Sequence, residues 1–102
     1  MKVKFLPIAR EELFVAVEYY GTIEKRLGPK LKEEARIARE RIAGNPLAAA
    51  LRAGGYRRVN LRMFPYYFAY IILDETIWVL AFGHHARRPE YWLGREGEVF
   101  RR

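Results

Sequence analysis

The side chains that could do chemistry are concentrated between Gly54 and Trp92. Three apolar runs in this segment are interrupted by basic and aromatic clusters, which are Arg57-Arg58, Phe64-Pro65-Tyr66 and the run from His84 to Trp92. Arginine, histidine and tyrosine at strand ends suit a phosphate group or the acidic surface of a partner. The sequence therefore predicts a basic site built on a small sheet, either catalytic or for binding.

Length and composition limit the kinds of protein this can be. A chain of 102 residues with 51% hydrophobic content is predicted to form one domain over residues 1–102, with 93–102 as a C-terminal tail. It has no cysteine and only two histidines, so we expect no disulfide, no metal and no cofactor. No run is long enough for a membrane span or a signal peptide, so a cytoplasmic location is expected.

The net charge points to an anionic partner. Nineteen Lys and Arg against twelve Asp and Glu give a net charge of +7, which favours nucleic acid or an acidic protein segment. The acidic residues lie mostly in the first half, so residues 52–88 are strongly basic, with only Asp74 and Glu75 opposing. Charge alone leaves open a basic, solvated surface without a site.

The first half predicts a strand followed by two helices. Residues 3–8 alternate weakly up to Pro7, which predicts a short strand at a sheet edge. Apolar residues at helical spacing predict a first helix from about Ala9 to Leu27. Gly28 as a stop, followed directly by a proline start, predicts a second helix, about Pro29 to Ala43, running back against the first.

The second half predicts three strands. The second strand of the chain is expected to alternate, with one face formed by Val59, Leu61 and Met63 and the wet face by Arg58, Asn60 and Arg62. A break at Phe64-Pro65 precedes a third strand, Tyr66 to Leu73, and a fourth, about Ile77 to Gly83, joined by Asp74-Glu75. The predicted class is α+β: an N-terminal strand and an antiparallel two-helix hairpin packed on an antiparallel sheet with a three-stranded C-terminal meander.

Particular residues in this order resemble a known family. They are Ala9-Arg10-Glu11-Glu12, Tyr19-Tyr20, Asn45-Pro46, Gly55-Tyr56-Arg57-Arg58-Val59, Phe64-Pro65-Tyr66, His84, Arg87, Pro89 and Trp92. Over nearly its whole length the chain resembles toxins of the RelE/ParE superfamily from bacterial type II toxin-antitoxin pairs. The resemblance implies growth arrest, neutralisation by a cognate antitoxin, and a homodimer or an antitoxin-bound hetero-oligomer.

The superfamily implies two different activities. RelE-like members are metal-independent endoribonucleases that cut mRNA on the ribosome, which requires a base, an acid and cations around the phosphate. That resemblance would make the catalytic set Arg58, Arg62, His85, Arg87 and Tyr91. However, Asn60 and Tyr67 stand where basic residues of a RelE-like nuclease would be expected.

ParE-like members instead poison DNA gyrase by binding it, and no catalytic set is expected. The helical arm, the Phe64-Pro65-Tyr66 bend and the ending formed by His84, Arg87 and Pro89 look more like this branch. The resemblance then implies partner-binding residues Arg58, Arg62, Tyr66, Arg87 and Trp92. Gyrase poisoning is the favoured prediction, ribosome-dependent mRNA cleavage is the alternative, and whether the chain is an enzyme is left open.

Strand parity separates some of these side chains. His84 is predicted to be structural and to bond the backbone, whereas His85 points the other way and is the better functional candidate. Arg57 and Arg58 face opposite sides, so Arg57 could pair with a carboxylate of the helical hairpin. The pair Tyr91-Trp92 is expected to be an aromatic plug over the sheet end more than a stacking platform.

Overall fold

A computed structural model describes residues 1–101 of the chain. The elements are β1 (Lys2–Phe5), α1 (Pro7–Ile23), α2 (Leu27–Gly44), β2 (Arg57–Asn60), β3 (Tyr66–Leu73), β4 (Thr76–His84) and α3 (Glu96–Phe100). The strands form one sheet in the order β1-β4-β3-β2, in which β2, β3 and β4 are antiparallel neighbours. The predicted α+β class and the three-stranded meander are confirmed.

The first strand makes the sheet mixed. β1 pairs with β4 in parallel, from Lys2 opposite Thr76 to Phe5 opposite Val79, so the sheet is not antiparallel throughout. It does lie at the sheet edge. Because β1 ends at Phe5, the upper part of β4, from Leu80 to His84, has no strand on that side within residues 1–101.

The helical hairpin is present, but its turn lies earlier than predicted. α1 begins at Pro7 and ends at Ile23, and α2 begins at Leu27, so the predicted helix stop at Gly28 was wrong. A Cβ at Gly28 would lie 3.0 Å from the carbonyl oxygen of Val17. This glycine therefore allows close approach of the two helices and does not end one of them.

The second strand is shorter than its alternating pattern suggested. β2 ends at Asn60, and the predicted shared face of Leu61 and Met63 was wrong, since these residues are 7% and 66% exposed. The cause is Glu34 of α2, whose Oε1 accepts the amide N–H groups of Arg62 (2.5 Å) and Met63 (2.8 Å). These amides bond a helix side chain and so leave the strand ladder.

The sheet has apolar packing on both faces. On the helix side Tyr66 stacks on Phe82 with ring centroids 4.7 Å apart, and Tyr20 of α1 packs edge-on against Tyr66. On the outer side Trp92 is 1% exposed and Val99 of α3 is 3% exposed. The expected tail, 93–102, thus contains a short helix with a buried residue, and Arg102 lies outside the described residues.

The β3–β4 connection has the predicted tight form. Asp74 and Glu75 both have positive φ, 51° and 60°, as a two-residue hairpin turn of type I′ requires. Among residues 1–101 no helix has the length and apolar character to cross a membrane.

Candidate functional site

The residues predicted to form one basic site are divided among three places. Arg58 and His85 meet on the outer face of the sheet, whereas Arg87 and Tyr91 meet beside α1. Arg62 lies apart from both, next to α2. The candidate catalytic set is therefore not brought together as one group.

The outer cluster consists of Arg58, Asn60, Tyr67 and His85. The guanidinium of Arg58 lies over the Tyr67 ring, 3.8 Å from its centroid. Its Nη2 is 2.8 Å from Nδ1 of His85, and its Nε donates to Oδ1 of Asn60 at 3.1 Å. Strand parity predicted Arg58 on the wet face of its strand and His85 as the better functional candidate of the two histidines, and the structure brings these two side chains into contact.

The surroundings of His85 favour its neutral form. Burial lowers the pKa of His85, and the positive charge of Arg58 and then His84 lower it further. Because a guanidinium is always a donor, Nδ1 of His85 must accept from Arg58, which places the ring proton on Nε2. The lone pair that a general base would use therefore faces Arg58.

The inner cluster consists of Glu12, Arg87, Tyr91 and Arg95. The Tyr91 hydroxyl donates to Oε2 of Glu12 at 2.6 Å, and Arg95 Nη1 donates to Oε1 at 2.9 Å. Arg87 lies 3.6 Å from the same carboxylate and 3.6 Å from the Tyr91 ring centroid. Burial, reinforced by the bond to Glu12, raises the pKa of Tyr91, so its hydroxyl stays protonated at neutral pH.

Glu12 and Arg95 also cap the open edge of β4. The Phe82 amide donates to Oε1 of Glu12 at 3.1 Å, and Arg95 Nη1 donates to the Leu80 carbonyl at 3.0 Å. Two side chains thus take the place of a missing strand, as an edge requires. From the sequence, Glu12 was named only within the Ala9-Arg10-Glu11-Glu12 run of the resemblance, and Arg95 was given no role.

A sequence signal for Glu12 did exist. It lies three residues after Ala9 and four before Ala16, which are buried residues of α1, so it borders the core face. Arg95 had no comparable signal, because it lies in the stretch expected to be a tail.

The remaining predicted residues have mainly internal contacts. Nδ1 of His84 accepts the Ala86 amide at 2.9 Å, which confirms a structural histidine. The Trp92 indole donates to the Tyr67 hydroxyl at 2.8 Å, as an aromatic plug would. Arg57 donates to the Ala49 carbonyl at 2.6 Å, so the suggested pairing of Arg57 with a carboxylate was wrong.

Within the described part of the chain, no three His, Asp or Glu side chains lie close enough together to hold a metal ion. The candidate functional groups of the two clusters are guanidinium groups, an imidazole and a phenol. The two groups that could carry a proton, His85 and Tyr91, already have hydrogen-bond partners within the chain.

Comparisons with known proteins bear on the fold. No protein-family model and no curated protein matches the sequence. A solved structure described as "Chromosomal ParDE TA system from P. aeruginosa" matches with a TM-score of 0.72 and 16% identity, covering 82% of this chain and 95% of that chain. At this identity the likeness shows the fold, and it confirms that this chain has the ParE/RelE-like fold that its sequence predicted.

Proposed function

We propose that this chain is the toxin of a bacterial type II toxin-antitoxin pair, that it acts in the cytoplasm by poisoning DNA gyrase, and that a cognate antitoxin neutralises it. The shared fold with a ParDE structure supports the toxin assignment. The engaged state of His85 and Tyr91 supports gyrase as the target, and it is the observation that carries this choice.

Metal-free cleavage of RNA needs a base for the 2′-hydroxyl and an acid for the leaving oxygen. In this chain the lone pair of His85 accepts from Arg58, and the Tyr91 proton is bonded to Glu12. Tyr67, which stands where a nuclease arginine would be expected, is 2% exposed and bonded to Trp92. A binding function needs none of these groups to be free.

The alternative is a ribosome-dependent endoribonuclease, and one observation favours it. Arg58 and His85 are in direct contact on an open face, and a guanidinium beside an imidazole could stabilise a phosphorane and move a proton if substrate displaced their mutual bond. On this alternative the candidate set stays Arg58, Arg62, His85, Arg87 and Tyr91.

For the binding function, the candidate contact residues are Arg58, Arg62, Tyr66, Arg87 and Trp92. Arg62 and Arg87 are exposed, and Arg58 and Tyr66 are half-buried. Trp92 is 1% exposed, so its contact with gyrase would require the segment around it to move. A homodimer or an antitoxin-bound hetero-oligomer is part of the same proposal.

Induction in bacterial cells tests this proposal. We expect growth arrest with gyrase-linked DNA breaks, relieved by co-expression of the antitoxin, which we expect to be encoded by a small acidic reading frame beside this gene. The triple variant Arg58→Ala, His85→Ala, Tyr91→Phe should still cause DNA breaks, reduced only as far as it weakens contacts with gyrase. Lys25→Ala, which removes an exposed cation, is the control. Site-specific cuts within codons, lost in the triple variant, would instead establish the nuclease.

A further inference from the structure

We propose that the groove between α2 and the chain leaving β2, here called the α2 groove, is the docking site for an acidic, amphipathic segment of the antitoxin. This inference rests on the proposed function, because it assigns a surface to the partner in that proposal. The groove has a volume of about 460 Å³, which accommodates a few side chains of a partner.

The floor of the α2 groove is apolar and open. Ile37 of α2 and Met63 of the chain after β2 are 46% and 66% exposed and line the groove from its two sides. Ala38 and Leu61, at 3% and 7% exposed, lie beneath them. Covering Ile37 and Met63 would remove apolar surface from water, which is the main favourable contribution in protein association.

The rim of the α2 groove has an excess of available positive charge. Lys30, Arg41 and Arg62 line it, and none of the three has an ion-pair partner within residues 1–101. Three cations around an apolar floor select a segment that carries carboxylates beside its apolar side chains.

The two carboxylates of the groove are already engaged. Glu34 accepts the amides of Arg62 and Met63, and Glu33 pairs with Arg36 at 2.5 Å. Glu34 keeps its negative charge when it accepts amides, so with the Glu33–Arg36 pair set aside, Lys30, Arg41 and Arg62 against Glu34 leave a net charge of +2 (3 − 1) for a partner.

A second groove beside α1 lacks this complementarity. It is lined by exposed Val15 and Tyr19, but its cations Arg87 and Arg95 both pair with Glu12. The α1 groove therefore offers apolar surface without free positive charge, and the acidic segment is assigned to the α2 groove.

The decisive experiment uses the purified full chain and the purified antitoxin that relieves its growth arrest. The groove variant is Ile37→Glu, Met63→Glu, and the matched control is Val15→Glu, Tyr19→Glu, which changes two comparably exposed residues of α1. We expect the groove variant to raise Kd at least tenfold and the control to change it less than about threefold. Circular dichroism checks that each variant is folded.

A charge reversal gives a second measurement should the apolar variants not fold. Arg41→Glu, Arg62→Glu should weaken binding and flatten its dependence on salt, while Lys25→Glu, an exposed cation outside the groove, should do neither. Loss of binding in the control variants alone would refute the assignment of the α2 groove as the docking site and would leave the proposed toxin function unaffected. A groove variant that changes the oligomeric state of the free chain, with antitoxin affinity intact, would overturn it too. No complex with the unmodified chain would contradict the proposed function itself.

Discussion

Replacing Glu12 by alanine should destabilise the protein strongly. The carboxylate accepts the Phe82 amide, the Tyr91 hydroxyl and the Arg95 guanidinium at 3.1, 2.6 and 2.9 Å. Its side chain is 15% exposed and that of Arg95 is 17% exposed. Glu12→Ala would leave an amide, a phenol and a guanidinium without their acceptor in a site that water reaches poorly.

The expected magnitude follows from these partners. Hydrogen bonds to a charged group contribute about 1.5–3 kcal/mol each, but bonds to one carboxylate are not additive. Removing one partner of a buried ion pair costs about 3–5 kcal/mol. Because water still reaches part of this site, we expect a loss at the lower end, about 3 kcal/mol, which corresponds to about 12–24 °C in Tm for a domain of this size.

Urea and thermal unfolding followed by circular dichroism measure this loss. Glu11→Ala is the matched control, because Glu11 is the neighbouring, exposed carboxylate of α1, and it should change stability by less than about 0.5 kcal/mol. A double-mutant cycle of Glu12→Ala with Arg95→Ala should give a coupling energy above about 1 kcal/mol. If Glu12→Ala behaved like Glu11→Ala, or the coupling were near zero, the role assigned to Glu12 at the β4 edge would be refuted.

Two further predictions concern the outer face. Gly83→Ala should lower the free energy of unfolding by about 1–3 kcal/mol through overpacking, because the new Cβ would lie 2.5 Å from the buried Tyr67 ring. Gly21→Ala, whose new Cβ would have nothing within 4 Å, should instead stabilise α1. Equal changes in Tm for the two variants would contradict this prediction. By NMR titration His85 should have a pKa below 6.5, and Arg58→Ala should raise it only part of the way, since burial is the larger cause. Because the pKa of His85 is lower in the folded state than in the unfolded state, the stability contributed by the neutral ring is complete above pH 6.5 and is lost as the pH falls through the folded-state pKa. An unchanged His85 pKa in Arg58→Ala would refute the contact between Arg58 and His85.

Local sequence patterns predicted the strands of the meander well. The alternation and turn residues of the meander placed β3 at Tyr66–Leu73 and β4 within one residue of Thr76–His84, because strand parity and a two-residue turn are local properties. The helix boundary at Gly28 failed for the opposite reason. A glycine that ends a helix and one that lets two helices touch look alike until the partner helix is known.

The candidate site was only partly predictable. Parity put Arg58 on the wet face of its strand and turned His85 away from His84, and the structure brings Arg58 and His85 into contact. Parity did not separate Arg62 from Arg58, because the strand ends after Asn60, where Glu34 accepts the amides of Arg62 and Met63. Long-range bonds such as Glu12 to Arg95 join residues 83 positions apart, and no local pattern reports them.

The proposed target is tested most directly by adding the purified protein to DNA gyrase and supercoiled plasmid, with ATP. We expect accumulation of cleaved DNA after detergent and protease treatment, dependent on gyrase and abolished by prior addition of the antitoxin. Primer extension on ribosome-bound mRNA in parallel should show no new cuts. Unaffected gyrase together with site-specific mRNA cuts that disappear in Arg58→Ala, His85→Ala, Tyr91→Phe would contradict gyrase poisoning and establish the endoribonuclease.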